Sequence, residues 1–196
     1  MEKAVPHIGE PSPPATVQGK GPAGQCGQTL DITTLVTEHH GAVYRYAFRL
    51  TGSQADAEDL VQQGFLLACQ RLDQLREPSR AVGWLMTIVR NCFLKNKRRT
   101  RPTEVLVEEP LGLDEEEFPE WVDPEQLQAA LQQLPEDARV ILLMYFFEDC
   151  SYKEIAESLE LPIGTVMSRL SRAKSRLRQL LDDAVAADSK QLTGPK

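Results

Sequence analysis

No stretch of this 196-residue chain approaches 18 consecutive apolar residues, which excludes a membrane-spanning helix. The N-terminus has neither the basic start nor the apolar core of a secretory signal, so the expected compartment is the cytoplasm. The four cysteines, Cys26, Cys69, Cys92 and Cys150, form no C-x-x-C pair, which argues against a redox or metal role. Cys69, Cys92 and Cys150 have apolar neighbours and read as buried free thiols. Histidine is scarce, and His7, His39 and His40 make no catalytic or ligand constellation with nearby acids. His39 and His40 read instead as part of a polar helix face. Glycine-rich phosphate loops and metal-ligand spacings are missing too. The expectation is a protein without catalytic residues, cofactor or metal.

Alternating apolar and polar residues, the mark of a half-buried strand, occur nowhere, so the fold class is all-α. Hydrophobic residues at 41% and charged ones at 26% suit a soluble globular protein. The length allows one ordinary domain or two small ones.

The net charge of −7 argues against a nucleic-acid partner only until it is divided along the chain. Residues 31–101 carry eleven basic and seven acidic side chains, and 102–123 carry nine acidic and no basic ones. Within the remainder, 162–178 holds five basic residues and no acidic one. Two basic patches flank an acidic strap, and that distribution predicts the partners.

Residues 1–30, rich in Pro, Gly and Gln, are expected to be a disordered tail. A helical period begins near Asp31 with Leu35, Val36, Val43, Tyr46, Ala47 and Leu50, and stops at Gly52. Ser53 and Asp56 resemble a capping box, opening a helix through Leu60, Val61, Phe65, Leu67, Ala68 and Leu72 to about Leu75. After a loop at Arg76-Glu77-Pro78, Ser79 is expected to cap a third helix bearing Val82, Leu85, Ile88, Val89, Cys92 and Phe93. Trp84, at helical spacing from Ile88, reads as core rather than as a base-stacking platform.

Residues 102–123 contain four prolines or glycines and read as a linker, long enough when extended for about 75 Å. Asp123-Pro124 supplies a cap and a first-position proline. Helices are expected at about 124–133, 136–148, 152–159 and 163–181.

The sharpest local signal runs from Ser151 to Lys174. A short helix with Ile155, Ala156 and Leu159 inward, a tight connection at Glu160-Leu161 and Pro162 near the next start make a helix-turn-helix. Ala156 is the small residue that a steep crossing needs. In the second helix Val166, Leu170, Ala173, Leu177 and Leu180 form an inward stripe. Thr165, Arg169, Arg172 and Arg176 form another, flanked by Ser168, Lys174 and Arg178, with types suited to base edges and phosphates.

Taken together, Asp56-Ala-Glu-Asp-Leu-Val-Gln-Gln-Gly-Phe65, Gly83-Trp-Leu-Met-Thr-Ile-Val-Arg-Asn91, the basic run 95–101, Leu134–Leu143, Tyr152–Ala156 and Gly164–Ala173 resemble the extracytoplasmic-function class of the sigma-70 family. The resemblance spans about residues 31–184. It implies a sigma region 2 domain over 31–101, the acidic linker over 102–123, a sigma region 4 helix-turn-helix domain over 124–184 and a C-terminal tail over 185–196. It further implies a sigma factor that binds core RNA polymerase and directs promoter recognition and opening. Region 2 would read the −10 element and region 4 the −35 element.

Carried over by residue, the resemblance assigns polymerase docking to Asp56, Glu58, Asp59, Gln62 and Gln63. It assigns −10 contacts to Arg76, Ser79, Arg80, Asn91, Lys95 and Arg98, with Lys97 and Arg99 holding phosphates. It assigns −35 contacts to Thr165, Ser168, Arg169, Arg172, Lys174 and Arg176. An anti-sigma factor or other regulator is a further implied partner, and a membrane is not. The resemblance departs at Gly64, where the family usually carries a side chain. The acidity of Glu104–Glu120 reads as a solubilising spacer, with nucleic-acid mimicry as the alternative.

Overall fold

The computed structural model describes residues 31–100 and 123–192, and side chains other than those of 98–100 and 187–192. The expectations for the N-terminal tail and for 102–122 lie outside these residues. Seven α-helices form the described parts: α1 (Ile32–Thr51), α2 (Gln54–Gln70), α3 (Ala81–Thr100), α4 (Pro124–Gln132), α5 (Glu136–Phe147), α6 (Tyr152–Leu159) and α7 (Ile163–Leu192). No strand occurs among them.

α1 ends where the period predicted. Gly52 takes the left-handed conformation, φ 74°, and its N–H donates to the Phe48 carbonyl at 2.8 Å. Ser53 accepts from the Asp56 N–H, but its own N–H goes to Thr51 Oγ1. Asp56 is one methylene short of the Glu a capping box uses, and only half the motif forms. The full box is at Ser151 and Glu154, where side chain and backbone bond reciprocally. That reciprocity holds the Glu154 carboxyl below its ordinary range.

Two boundaries differ from the reading of the sequence. α2 stops at Gln70, and single 3-10 turns follow at Leu72–Gln74 and Pro78–Arg80. Ser79 lies inside the second turn and caps nothing, because Pro78 sets the turn and Ala81 opens α3. At the other end α7 continues as helix to Leu192, past its expected end at 181. Cys69 is exposed on α2 rather than buried, whereas Cys92 is buried and Cys150 half-buried.

α1, α2 and α3 pack on one another. Gly64 is buried there, and a Cβ built on it would sit 2.5 Å from Val89 Cγ2. The departure from the family pattern is therefore a close approach of α2 to α3, and it leaves the polar edge of α2 intact. Trp84 packs against the core, as its spacing implied.

α4, α5 and α6 gather around α7. α5 is buried from Arg139 to Met144, which fits a helix apolar all round at the centre of its group. Arg139 Nη1 donates to the Gln132 side-chain Oε1 at 2.6 Å and to the Leu131 carbonyl near the end of α4 at 3.4 Å.

The two groups share one continuous core. Gln128 and Gln132 of α4 donate to the Phe48 and Arg49 carbonyls at the end of α1. Arg49 lies over the Phe147 ring, 4.6 Å from its centroid. Glu148, at the end of α5, has a side chain only 1% exposed and paired with Arg90 of α3.

Candidate nucleic-acid interface

The helix-turn-helix is built as its residues require. Ile155 and Ala156 are buried against α7. Glu160 turns the chain in the left-handed conformation, φ 56°, and the Leu161 N–H returns to the Ala156 carbonyl at 2.9 Å. Pro162 then offers its carbonyl to the N–H groups of Thr165 and Val166, starting α7. Proline costs nothing there because its missing donor would be an orphan. The expected inward stripe of Val166, Leu170, Ala173, Leu177 and Leu180 is buried throughout.

On the remaining surface of α7, Arg176 is exposed, with Nη1 donating to Gln179 Oε1, and Thr165 and Arg172 are half-buried. Arg169 is 14% exposed and pairs with Asp137 of α5 at 3.3 Å. Lys174 rests its ammonium over the Tyr145 and Phe146 rings, 4.3 and 5.3 Å from their centroids. Ser168 corrects the reading of the sequence. It is buried, and its hydroxyl donates to the Thr165 carbonyl one turn back, so this conformation withholds it from a base edge.

On the first group of helices, Arg76, Ser79 and Arg80 are exposed on the connection before α3, with Arg80 bonded to Glu77 at 2.8 Å. Asn91 and Lys95 are exposed one turn apart on α3. Lys97, also exposed, pairs with Glu136 of α5 at 2.9 Å. The side chains of Arg98 and Arg99 lie outside the described residues. The connection and α3 thus present donors, an amide and cations in sequence.

The proposed docking edge, Asp56, Glu58, Asp59, Gln62 and Gln63, is wholly exposed on α2. Gln54 donates to Glu58, and Asn96 of α3 donates to Gln63 at 3.2 Å. Glu58 and Gln62 border a shallow cavity of about 370 Å³ whose other walls are His40, Tyr44 and Val61. His40 lies parallel to Tyr44 and to Phe65, at 6.2 Å from each. The sequence reading treated His40 as part of a polar face. The i, i+4 spacing of His40, Tyr44 and Phe48 is the signal that would have found this ladder.

A second cluster was not anticipated. Glu148 accepts hydrogen bonds from Tyr46 Oη at 2.5 Å, Thr87 Oγ1 at 3.0 Å and Arg90 Nη1 at 2.6 Å. Arg90 Nη2 donates to Ser158 of α6 at 3.1 Å. Burial pushes the Glu148 carboxyl up, opposed by the Arg90 charge and these bonds. Burial and the Glu148 charge hold the Tyr46 hydroxyl well above its ordinary value. Nothing in the period of α5 distinguishes Glu148 from a solvated helix end. Among the described residues, no cluster of His, Cys, Asp and Glu could hold a metal, and no helix is long and apolar enough to cross a membrane.

Family comparisons agree with this geometry. The family description "Sigma-70 region 2" matches residues 35–103, and "Sigma-70, region 4" matches residues 124–177. The chain is 38% identical over 158 residues to the ECF RNA polymerase sigma factor SigE of Mycolicibacterium smegmatis, covering 75% of this chain and 60% of that protein. It is 33% identical over 162 residues to the ECF RNA polymerase sigma factor SigL of Mycobacterium tuberculosis, covering 78% and 89%. Among solved structures, the sigma factor RpoE in complex with the anti-sigma factor NepR from Bartonella quintana is similar, with a TM-score of 0.53 and 26% identity. That match covers 76% of this chain and 96% of the other. With both regions matched in order and relatives of this identity and coverage, the chain belongs to the sigma-70 family of RNA polymerase sigma factors, in its extracytoplasmic-function class.

Proposed function

We propose that this sigma factor binds core RNA polymerase through the Asp56–Gln63 edge of α2 and directs it to promoters by gripping DNA at two places. The observation that carries the reading is the pairing of two separate cationic helical surfaces, one on α3 and its preceding connection and one on α7. A helix-turn-helix second helix enters the major groove with its early residues toward base edges. Thr165, Arg169 and Arg172 are therefore the −35 readers, each bidentate arginine contributing about 1–3 kcal/mol of base discrimination. Arg176 holds phosphate. Arg169 must exchange Asp137 for DNA, a trade between two charge-assisted partners.

At the −10 element, Arg76, Ser79, Arg80 and Asn91 hold unstacked bases, and Lys95 and Arg98 hold phosphates. Capturing a base out of the stack offsets the cost of unpairing, which is how a protein with no catalytic group opens a duplex. The protein works by binding alone, in the cytoplasm, as the domains 31–101 and 124–184 joined by the acidic linker. An anti-sigma factor is the partner class suggested by the solved complex of a relative.

A stand-alone regulator would use α6 and α7 in the same way but leaves the carboxylate-rich edge of α2 without a role. Transcription by reconstituted holoenzyme on a genomic fragment library, with start sites mapped, tests the reading. The variant carrying Arg169→Glu and Arg172→Glu should lose start-site selection. Unchanged start sites would overturn the reading.

A further inference from the structure

The recognition helix is tied by an ion pair to the helix behind it. Arg169 of α7 places Nη1 3.3 Å from Oδ2 of Asp137, in the first turn of α5. A carboxylate in the first turn is favoured by the helix dipole whatever else it does. Glu136, beside it, is such a residue, and its partner is Lys97 on α3. Asp137 differs because it stands against the helix that reads DNA, where an anion repels phosphate. Its side chain is 56% exposed, so packing does not require a carboxylate there.

Arg169 differs in turn from the cations beyond it on α7. At about 100° per residue, it lies about 40° around the helix from buried Ala173, whereas Arg172 lies about 100° away. Its side chain therefore starts along the flank nearest the core and is only 14% exposed. Ser168 and Leu170, on either side, are each 1% exposed, which fixes the backbone between them. The start of α5 is fixed as well, because Arg139 donates to the Leu131 carbonyl and to the Gln132 side chain. Asp137 and Arg169 thus stand on two rigid supports.

A guanidinium carries its donors in one plane, so holding one Nη sets the direction of the others. The bond to Asp137 is longer than a tight charge-assisted contact of about 2.7–2.9 Å, so it guides Arg169 without locking it away. We propose that Asp137 is a positioning residue for −35 recognition, aiming Arg169 at the N7 and O6 edge of one guanine. The inference rests on the sigma-factor reading. When Nη1 trades Asp137 for the base, the carboxylate stays alongside the guanidinium as a fixed anion on its α5 side. Arg169 is then penalised wherever it swings away, toward a flanking phosphate or a neighbouring base pair. A surface arginine has rotamer freedom enough to find those partners. Asp137 narrows the choice to one base pair, and the preference for guanine there exceeds what Arg169 alone would give.

Transcription by reconstituted holoenzyme from promoters randomised across the −35 element tests this, with Asp137→Asn, Asp137→Glu and Arg169→Ala. Asp137→Asn keeps the side-chain shape and removes the charge. Preference for guanine at one position should fall about fivefold or more, the lower bound of what one bidentate arginine contributes, while the other −35 positions keep theirs. Asp137→Glu retains the anion and should stay nearer wild type than Asp137→Asn. Arg169→Ala should abolish the preference at that same position, and adding Asp137→Asn to it should change nothing further. Weaker transcription with unaltered base preferences would make Asp137 merely structural and overturn the proposal. Tighter binding to all sequences alike would make it a simple competitor for Arg169 and overturn the proposal equally. A wild-type holoenzyme without any −35 preference would overturn the sigma-factor reading and this proposal with it, whereas preferences that ignore Asp137 overturn the proposal alone.

Discussion

Replacing Gly64 by alanine should destabilise the packing of α1 to α3 even though alanine is the better helix former. Glycine in a helix interior costs about 1 kcal/mol relative to alanine, so an open site would gain that amount. Gly64 is not open. The added methyl would lie 2.5 Å from Val89 Cγ2, where carbon atoms prefer about 3.5–4.0 Å. Val89 is itself buried, 1% exposed, and a valine in a helix has one strongly preferred rotamer, so its methyl has nowhere to swing. Overpacking of this kind costs typically about 1–3 kcal/mol, and an overlap of about 1 Å against a stiff neighbour belongs at the upper end. The net expectation is a loss of about 2 kcal/mol.

Val89→Ala removes the obstacle. Alone it should cost about 2 kcal/mol in lost methyl burial and cavity. With the methyl of Gly64→Ala filling the vacated space, the double variant should cost no more than Val89→Ala alone. The coupling, about 2 kcal/mol, is then read from a double-mutant cycle by chemical denaturation followed by circular dichroism. A Gly64→Ala protein as stable as wild type, or two costs that simply add, would refute the close-approach argument. Glu58, Gln62 and Gln63 lie outside the contact, so core-polymerase affinity should be unchanged in any variant that remains folded.

Ser151→Ala removes the hydroxyl of the capping box and should cost about 1 kcal/mol at neutral pH, measured by denaturation. Glu154 titrates below its ordinary range in the folded protein, so the stability it contributes is present above the unfolded pKa and lost as pH falls through the folded one. The Ser151→Ala penalty should therefore shrink in acid, and a penalty independent of pH would count against the box. Thiol alkylation separates the cysteines: exposed Cys69 should react well before Cys150, whose thiol is pushed up to about 11 by burial and then by the Glu148 charge. Glu148→Gln should speed the Cys150 reaction several-fold in mass spectrometric time courses, and an unaltered rate would deny that the Glu148 charge holds that thiol up. Raising salt should weaken promoter binding by holoenzyme, and Arg176→Ala should lower the slope of log affinity on log salt by about 1. A wild-type slope would remove Arg176 from the phosphate contacts.

Local chemistry alone determined much of this protein. The 3.6-residue period placed the seven described helices, because amphipathic burial is written into spacing. Gly52, Asp123-Pro124 and Glu160-Leu161 fixed their turns through backbone preferences that act over a few residues. The α7 stripe and the exposed α2 edge followed from the same rule. What the sequence did not carry was anything requiring distant residues to meet. Two readings failed for other reasons: Pro78, next to Ser79, sets the turn in place of a cap, and Cys69 lies exposed on α2. Ser168, two residues along from Val166, is buried despite lying off the apolar stripe. Gly64 looked like a defect until Val89, 25 positions later, was seen against it. Glu148 is the clearest case. Its partners Tyr46, Thr87 and Arg90 stand 102, 61 and 58 positions away, and no periodicity encodes a meeting across that distance. Only the packing of one helical group on the other turns a surface carboxylate into a buried one.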